Sequence, residues 1–198
     1  ATSNLEEDQV LKEFADKHKI GFFAGDPEDV ITRFIGAADK FNIDVAIRVT
    51  GDCPIVSYEI AEYILDNHFR TGADYTCPKE FAVGQNSEIY NVNTLKKVIE
   101  YLGEAKHSEY MTWYLRSNPD IFNLNMVDLP KEYIRNYRLT LDEQSDLDLF
   151  VELFKKLGKR EPSLVNIFKI LDSNPEIAQL NKTVQLKYVT DMKLIRFL

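Results

Sequence analysis

The order of predicted elements indicates an α/β fold, with a mostly parallel sheet in three layers. Short runs of β-branched and aromatic residues alternate with amphipathic helical patterns, and only a few residues connect one to the next. The clearest strand pattern, at 44–50, lies between helical patterns at 30–41 and 58–69. This alternation is typical of a parallel sheet that is covered by helices on both faces.

The first predicted element is a helix that begins near residue 5. Ser3 or Asn4 can cap it, since a side-chain oxygen at that position accepts from the unpaired backbone N–H groups of the first turn. Val10, Leu11 and Phe14 recur at helical spacing, so we expect them to face a core.

The next elements are two strands and a helix separated by turns. Residues 20–24 form a short apolar run, and a Gly-Asp-Pro turn at 25–27 separates them from the helix at 30–41. The strand at 44–50 is rich in β-branched residues and ends at a Gly-Asp-Cys-Pro turn, 51–54. The same alternation continues with the helix at 58–69.

The remainder of the chain is less regular but still alternates. It is predicted to contain strands at 74–77, 87–92, 122–127 and 137–141, and helices at 94–102, 108–116, 146–157 and 163–171. In the 146–157 helix four apolar residues recur on one predicted side, at Leu147, Phe150, Val151 and Phe154. No repeat or linker interrupts the pattern, so one domain is expected over 1–198.

Composition excludes several classes of protein. The chain has 198 residues, 44% of them hydrophobic, and a net charge of −8. An acidic chain is a poor general nucleic-acid binder, because phosphate binding requires clustered Lys and Arg. No apolar run approaches the ~20 residues of a membrane span, and Cys53 and Cys77 form no CxxC pair. We therefore expect a cytoplasmic protein without nucleic-acid or membrane partners.

Asp52 is the first candidate for chemistry. It follows the 44–50 strand, and ligands bind at the carboxyl ends of strands in open parallel sheets. Gly51 would let the backbone approach a ligand, and Pro54 would stiffen the turn. The carboxylate can bind a hard cation such as Mg²⁺. An ordinary turn Asp that bonds its own backbone is an equally good interpretation of the spacing.

Asp142 is the second candidate, at the end of the predicted 137–141 strand. Alone, it is better explained as a helix cap, a role that Ser145 could also take. Two carboxylates that end separate strands of one sheet are, however, what a metal–phosphate site needs. The pair Asp52 and Asp142 therefore predicts a Mg²⁺ and phosphate site.

Other residue types give weaker signals. His18, His68 and His107 are dispersed and form no metal-ligand spacing. Trp113, in the predicted 108–116 helix, is more typical of a core residue than of a stacking platform. Neither a GxGxxG nor a GxxxxGK[ST] motif is present, which argues against a dinucleotide site and a P-loop.

Four segments together resemble a known family. They are 1–3 (Ala-Thr-Ser), 25–33, 48–54 (Arg-Val-Thr-Gly-Asp-Cys-Pro) and 138–142 (Arg-Leu-Thr-Leu-Asp). They look like the SpsF-like cytidylyltransferases of spore-coat polysaccharide synthesis, which are relatives of the acylneuraminate and KDO cytidylyltransferases. The resemblance implies the nucleotide-diphospho-sugar transferase (GT-A-like) fold. It covers most of the chain, and the 48–54 block is its most specific part.

The resemblance also implies roles for individual residues. Asp52 and Asp142 would be catalytic carboxylates that bind Mg²⁺ near the phosphates of CTP. Asp29, Arg33 and Gly51 would lie near the nucleotide. The implied reaction is transfer of CMP from CTP to a sugar acid, with release of pyrophosphate.

The sugar site implied by the resemblance is formed by Asn86, Glu88 and Glu109. Where relatives carry an Asp, this chain has Asn86, and where they carry a His after the Glu, it has Tyr110. The family's first strand and its Arg- and Lys-bearing loop do not appear, so the chain is expected to be a fragment that lacks its first strand–loop–helix and leaves apolar surface uncovered. A homodimer is allowed.

Two alternatives to the cytidylyltransferase remain. A non-catalytic homologue that binds a ligand or acts as an assembly subunit fits the departures at 86 and 110. A glycosyltransferase of the same fold would also use a pair of carboxylates.

Overall fold

The computed structural model describes residues 1–103, 111–185 and 196–197. Within these ranges the strands are β1 (Thr2–Ser3), β2 (Ala24–Gly25), β3 (Val45–Arg48), β4 (Tyr75–Pro78), β5 (Glu88–Asn91) and β6 (Leu124–Val127). The α-helices are α1 (Val10–His18), α2 (Val30–Phe41), α3 (Tyr58–Thr71), α4 (Val92–Leu102), α5 (Met111–Arg116), α6 (Gln144–Leu157), α7 (Leu164–Ser173) and α8 (Pro175–Ala178). None of these helices is both long and apolar enough to cross a membrane.

The main sheet has the strand order β3-β5-β4-β6. β4 and β6 are parallel, whereas β5 is antiparallel to both of its neighbours. Strands β3, β4 and β6 therefore run in one direction, and the prediction of an α/β fold with a mostly parallel sheet is confirmed. β1 and β2 form a separate parallel pair. The antiparallel register of β5 places Glu88 directly opposite Arg48, a pairing that matters for the site.

Helices cover both faces of the main sheet. Ile89 belongs to a core cluster formed with α3, α6, α7 and α8, whereas the next residue, Tyr90, belongs to a second cluster formed with α2, α4 and α5. Successive side chains of a strand point to opposite faces, so one cluster lies on each side of the sheet. The three layers follow from this alternation.

The predicted core face of α1 is wrong. Val10, Leu11 and Phe14 are exposed, and Ala15 is the buried residue of this helix. In the described part of the chain no element covers that face. Ile47 on the edge strand β3 and Val49 just after it are also exposed, at 43% and 53%.

The apolar face of α6 also differs from the prediction. Of the four residues expected on one side, Phe150 is buried, whereas Leu147, Val151 and Phe154 are exposed. Apolar residues occupy two adjoining faces of this helix, and α7 and α8 pack on the face that carries Leu153. Periodicity alone does not determine which of two apolar faces is covered.

The predicted strand at 137–141 is reduced to a single parallel bridge between Arg138 and Val83. Leu139 donates its N–H to the carbonyl of Val83 at 2.6 Å. The next residue, Gly84, has a φ of +87°, and a Cβ there would lie 2.1 Å from the carbonyl oxygen of Leu139. Gly84 therefore lets the 137–142 segment lie directly against the 83–86 loop.

Replacing Gly84 by Ala tests this close approach. A positive φ costs about 1 kcal/mol for an L-residue, and the clash with backbone adds about 2 kcal/mol. We expect Gly84→Ala to lower the free energy of unfolding in urea by about 3 kcal/mol. Gly72 is the matched control, since it also has a positive φ but no described atom lies within 4 Å of its Cβ position. A loss no larger than that of Gly72→Ala would contradict the close contact.

Candidate active site

A cavity of about 950 Å³ opens at the carboxyl ends of β3 and β4. Because these strands run in the same direction, the loops that follow them meet at one edge of the sheet. Both signs of charge line the cavity, with basic groups at Arg48, Lys79, Arg116 and Arg138 and acidic groups at Asp52, Glu88, Asp142 and Glu143. Such a lining suits a polar, charged ligand better than an apolar one.

Asp52 lies in the loop after β3, next to the segment that carries Asp142. The carbonyl of Asp52 accepts from the N–H of Leu141 at 2.8 Å, and the Thr140 hydroxyl donates to the same carbonyl at 3.3 Å. The Asp52 carboxylate contacts the Thr140 hydroxyl (3.4 Å) and the Cys53 thiol (3.6 Å). These contacts join the two predicted carboxylate loops, and both side chains line one cavity.

Asp142 pairs with an arginine and does not cap the helix that follows. Its Oδ2 accepts from a terminal nitrogen of Arg138 at 2.5 Å. The N-cap of α6 is Glu143, so the predicted cap at Asp142 or Ser145 is wrong. The backbone N–H groups of Asp142 and Glu143 instead donate to Asp146, at 3.0 and 2.9 Å.

Asp146 holds this loop together and was not identified from the sequence. Its buried carboxylate accepts from Arg138 Nε at 2.8 Å and from Asn181 Nδ2 at 2.7 Å, in addition to the two backbone N–H groups. Burial alone would raise the pKa of Asp146, but Arg138 and the backbone donors lower it to about 2. The available signal was an acidic side chain three residues after the cap, the spacing of a capping box.

Glu88 lies at the start of β5 in the wall of the cavity and is surrounded by donors. Oε2 accepts from Arg48 at 2.7 Å and from the Tyr90 hydroxyl at 2.9 Å. Oε1 accepts from the Tyr75 hydroxyl at 2.6 Å and from Thr112 Oγ1 at 2.7 Å. The family resemblance implied a role for Glu88. Its hydrogen-bond partners could not be predicted from the sequence, because three of them come from other elements.

The residues predicted near the nucleotide lie elsewhere. Asp29 caps α2, where its carboxylate accepts from the backbone N–H and the hydroxyl of Thr32 at 2.8 and 2.7 Å. Arg33 lies on α2 against Gly25, where a Cβ would be 3.1 Å from Arg33 Cγ. Neither Asp29 nor Arg33 is among the residues that line the cavity. Their contact with a nucleotide stays a prediction.

The remaining predicted residues have mixed placements. Asn86 lines the cavity. No described atom lies within 4 Å of a Cβ built on Gly51, so packing in this chain does not require a glycine there. Glu109 lies outside the described residues. Trp113, expected in the core, is 39% exposed and lines the cavity.

His18 and His68, the histidines of the described ranges, are not among the residues that line the cavity. His68 is buried, with one ring nitrogen 2.9 Å from Thr76 Oγ1 and the other 3.2 Å from Asn91 Oδ1. No group of three or more His, Cys, Asp or Glu side chains that could hold a metal occurs among the described residues. A cation here would therefore need ligands from a bound substrate as well.

Comparison with known proteins agrees with this architecture. The chain is 32% identical over 193 residues to an uncharacterized protein of Methanocaldococcus jannaschii, covering 94% of this chain and 77% of that protein. It is 31% identical over 182 residues to the spore coat polysaccharide biosynthesis protein SpsF of Bacillus subtilis, covering 90% and 75%. The solved structure of a cytidylyltransferase from Leptospira borgpetersenii superposes with a TM-score of 0.82 at 26% identity, covering 93% of this chain and 79% of that one.

The family model for cytidylyltransferases matches residues 1–189, nearly the whole chain. The matched region contains Asp52, Asp142 and all of the described cavity residues. The chain therefore belongs to the cytidylyltransferase family.

Proposed function

We propose that this protein is a Mg²⁺-dependent cytidylyltransferase that transfers CMP from CTP to a sugar acid for surface polysaccharide or glycan synthesis. The observation that carries the proposal is the meeting of Asp52 and Asp142 in one cavity that also contains four basic side chains. A nucleoside triphosphate needs both kinds of group, because its phosphates carry several negative charges and bind divalent cations. Family membership supports the nucleotidyl transfer itself.

The donor set fits Mg²⁺. Asp52 and Asp142 offer hard oxygen ligands, and Mg²⁺ is commonly held by one or two carboxylates together with substrate phosphates. Asp142 is paired with Arg138, whose guanidinium would then lie beside the same phosphates. When Mg²⁺ is bound there, the charge that builds up on the phosphate in the transition state is neutralised.

In this reaction the protein need not form a covalent bond with either substrate. A hydroxyl oxygen of the sugar acid attacks the α-phosphorus of CTP, a new O–P bond forms, and the bond to the bridging oxygen breaks to release pyrophosphate. The hydroxyl proton passes to solvent water. Arg138 and Lys79 bind negative oxygens and orient them, which is the main source of rate in phosphoryl and nucleotidyl transfer.

The test is pyrophosphate release by the full-length protein. We expect release with CTP, Mg²⁺ and at least one member of a panel of nonulosonic and related sugar acids, and at least tenfold less with UTP, ATP or GTP. EDTA should abolish it. Absence of release with every nucleotide and acid, by a protein that is folded by circular dichroism, would contradict the proposal and favour a binding or assembly subunit.

A further inference from the structure

Glu88 is enclosed by donors from the protein itself. An ionised carboxylate offers about four lone-pair directions, two on each oxygen. Four donors lie close to them, Arg48 and Tyr90 at Oε2 and Tyr75 and Thr112 at Oε1. The Tyr90 and Thr112 hydroxyls are also 3.0 Å apart, so their two protons serve three contacts. The direct sugar contact implied for Glu88 would have to compete with these donors.

The tyrosine partners of Glu88 stay protonated, and Glu88 stays ionised. Burial raises the pKa of the Tyr75 and Tyr90 hydroxyls, and the charge of Glu88 raises it further, so both stay protonated. Burial would also raise the pKa of Glu88, but Arg48 and the hydrogen bonds from Tyr75 and Thr112 keep it below its usual value. Glu88 is thus a fixed negative charge inside the protein.

The position of Arg48 shows what this fixed charge acts on. Arg48 lies at the end of β3, opposite Glu88 in the antiparallel ladder, and its side chain is 21% exposed in the wall of the cavity. A buried ion pair gives little net stability compared with apolar residues of the same volume. Here it holds a guanidinium, the side chain best suited to bind phosphate or carboxylate oxygens, at one orientation in the cavity.

We propose that Glu88 is a positioning residue that contacts no substrate, and that Arg48, which it holds, binds an anionic oxygen of a substrate. The anionic group is either a phosphate of the nucleotide or the carboxylate of the acid. The choice of these two groups as the source of the anion rests on the proposed function. The proposal that Arg48 binds an anion does not depend on it.

Trp113 provides a measurement of binding that needs no turnover. It is the one tryptophan of the chain and lines the same cavity. Its fluorescence can be titrated with CTP, with inorganic pyrophosphate and with N-acetylneuraminate, each with Mg²⁺ present. If an Arg48 variant binds only CTP and pyrophosphate more weakly than the wild type, Arg48 contacts phosphate. If it binds only N-acetylneuraminate more weakly, Arg48 contacts the carboxylate.

The variants Arg48→Met, Glu88→Gln and the double variant test the positioning role. We expect each single variant to weaken binding of one anion class about tenfold, the effect of losing a charge-assisted contact. In the Arg48→Met background, Glu88→Gln should change the affinity less than about twofold, because its effect passes through Arg48. Arg135→Met, which removes an arginine that pairs with Asp172 away from the cavity, should leave the titrations unchanged.

Three results would overturn the proposal. Additive losses in the double variant would mean that Glu88 contacts the ligand itself. Unchanged affinity of Arg48→Met for all three probes, or no binding of any probe by the wild type at millimolar concentration, would remove Arg48 as the anion site. If Glu88→Gln fails to fold, Arg48→Lys takes its place, since Lys keeps the charge but loses the planar fork. It should bind about fivefold more weakly, and wild-type affinity in Arg48→Lys would contradict the proposal. Lack of pyrophosphate release alone would contradict only the proposed function.

Discussion

The Asp52→Asn variant is expected to lose about 1000-fold in kcat/KM for CTP while keeping its fold. A metal-bound carboxylate contributes several kcal/mol to the stabilisation of phosphate charge, and each ~1.4 kcal/mol is a factor of ten in rate. The amide has the same shape, and the backbone carbonyl of Asp52 would still accept from Leu141. The loss should therefore appear as a defect in chemistry and in the Mg²⁺ requirement, measured by pyrophosphate release at increasing Mg²⁺.

A surface carboxylate provides the control for Asp52. Asp39 pairs with Lys96 at 2.8 Å, its side chain is 59% exposed, and neither residue lines the cavity. Asp39→Asn should change kcat/KM less than about twofold, since exposed ion pairs contribute little. More than a tenth of wild-type activity in Asp52→Asn, with thermal unfolding unchanged, would show that this carboxylate does not hold the cation.

The alternation of strands and helices was readable from the sequence, but the direction of β5 was not recognised. A signal for it existed. β4 ends at Pro78 and β5 begins at Glu88, and the residues between them are too few for the crossover that joins neighbouring parallel strands. Short separation between two strands without an intervening helix therefore indicates the antiparallel pair that the structure contains.

Asp52 and Asp142 were also readable as candidates, because each directly follows an apolar strand pattern in the sequence. The hydrogen-bond networks around the cavity could not be predicted from the sequence. Asp146 depends on Arg138 and on Asn181, 35 residues further along the chain, and Glu88 depends on Tyr75 and Thr112. Such contacts follow from strand register and helix placement, which local patterns do not encode.

Removing the carboxylate of Asp146 is expected to give the largest loss of stability. Arg138 is 10% exposed and donates to Asp146 from two nitrogens, so Asp146→Ala leaves a nearly buried charge without its main partner. Breaking one half of such a pair costs about 3–5 kcal/mol. We expect a loss of about 4 kcal/mol in the free energy of unfolding, measured in urea at pH 7. Asp172→Asn, at the more exposed pair with Arg135, should cost less than about 1 kcal/mol.

The lowered pKa of Asp146 gives a second signature with a definite sign. The carboxyl has a pKa of about 2 in the folded protein and about 3.9 when unfolded, so the unfolded chain binds its proton first as pH falls. The stabilisation, about 3 kcal/mol, is complete above about pH 5 and is lost as pH falls through 4 towards 2. Asp146→Asn should flatten this part of the stability profile. If Asp146→Asn loses as much stability as the wild type when the pH falls from 5 to 2, other carboxylates cause the acid destabilisation. The loop that bears Asp142 is then held by contacts other than the charge of Asp146.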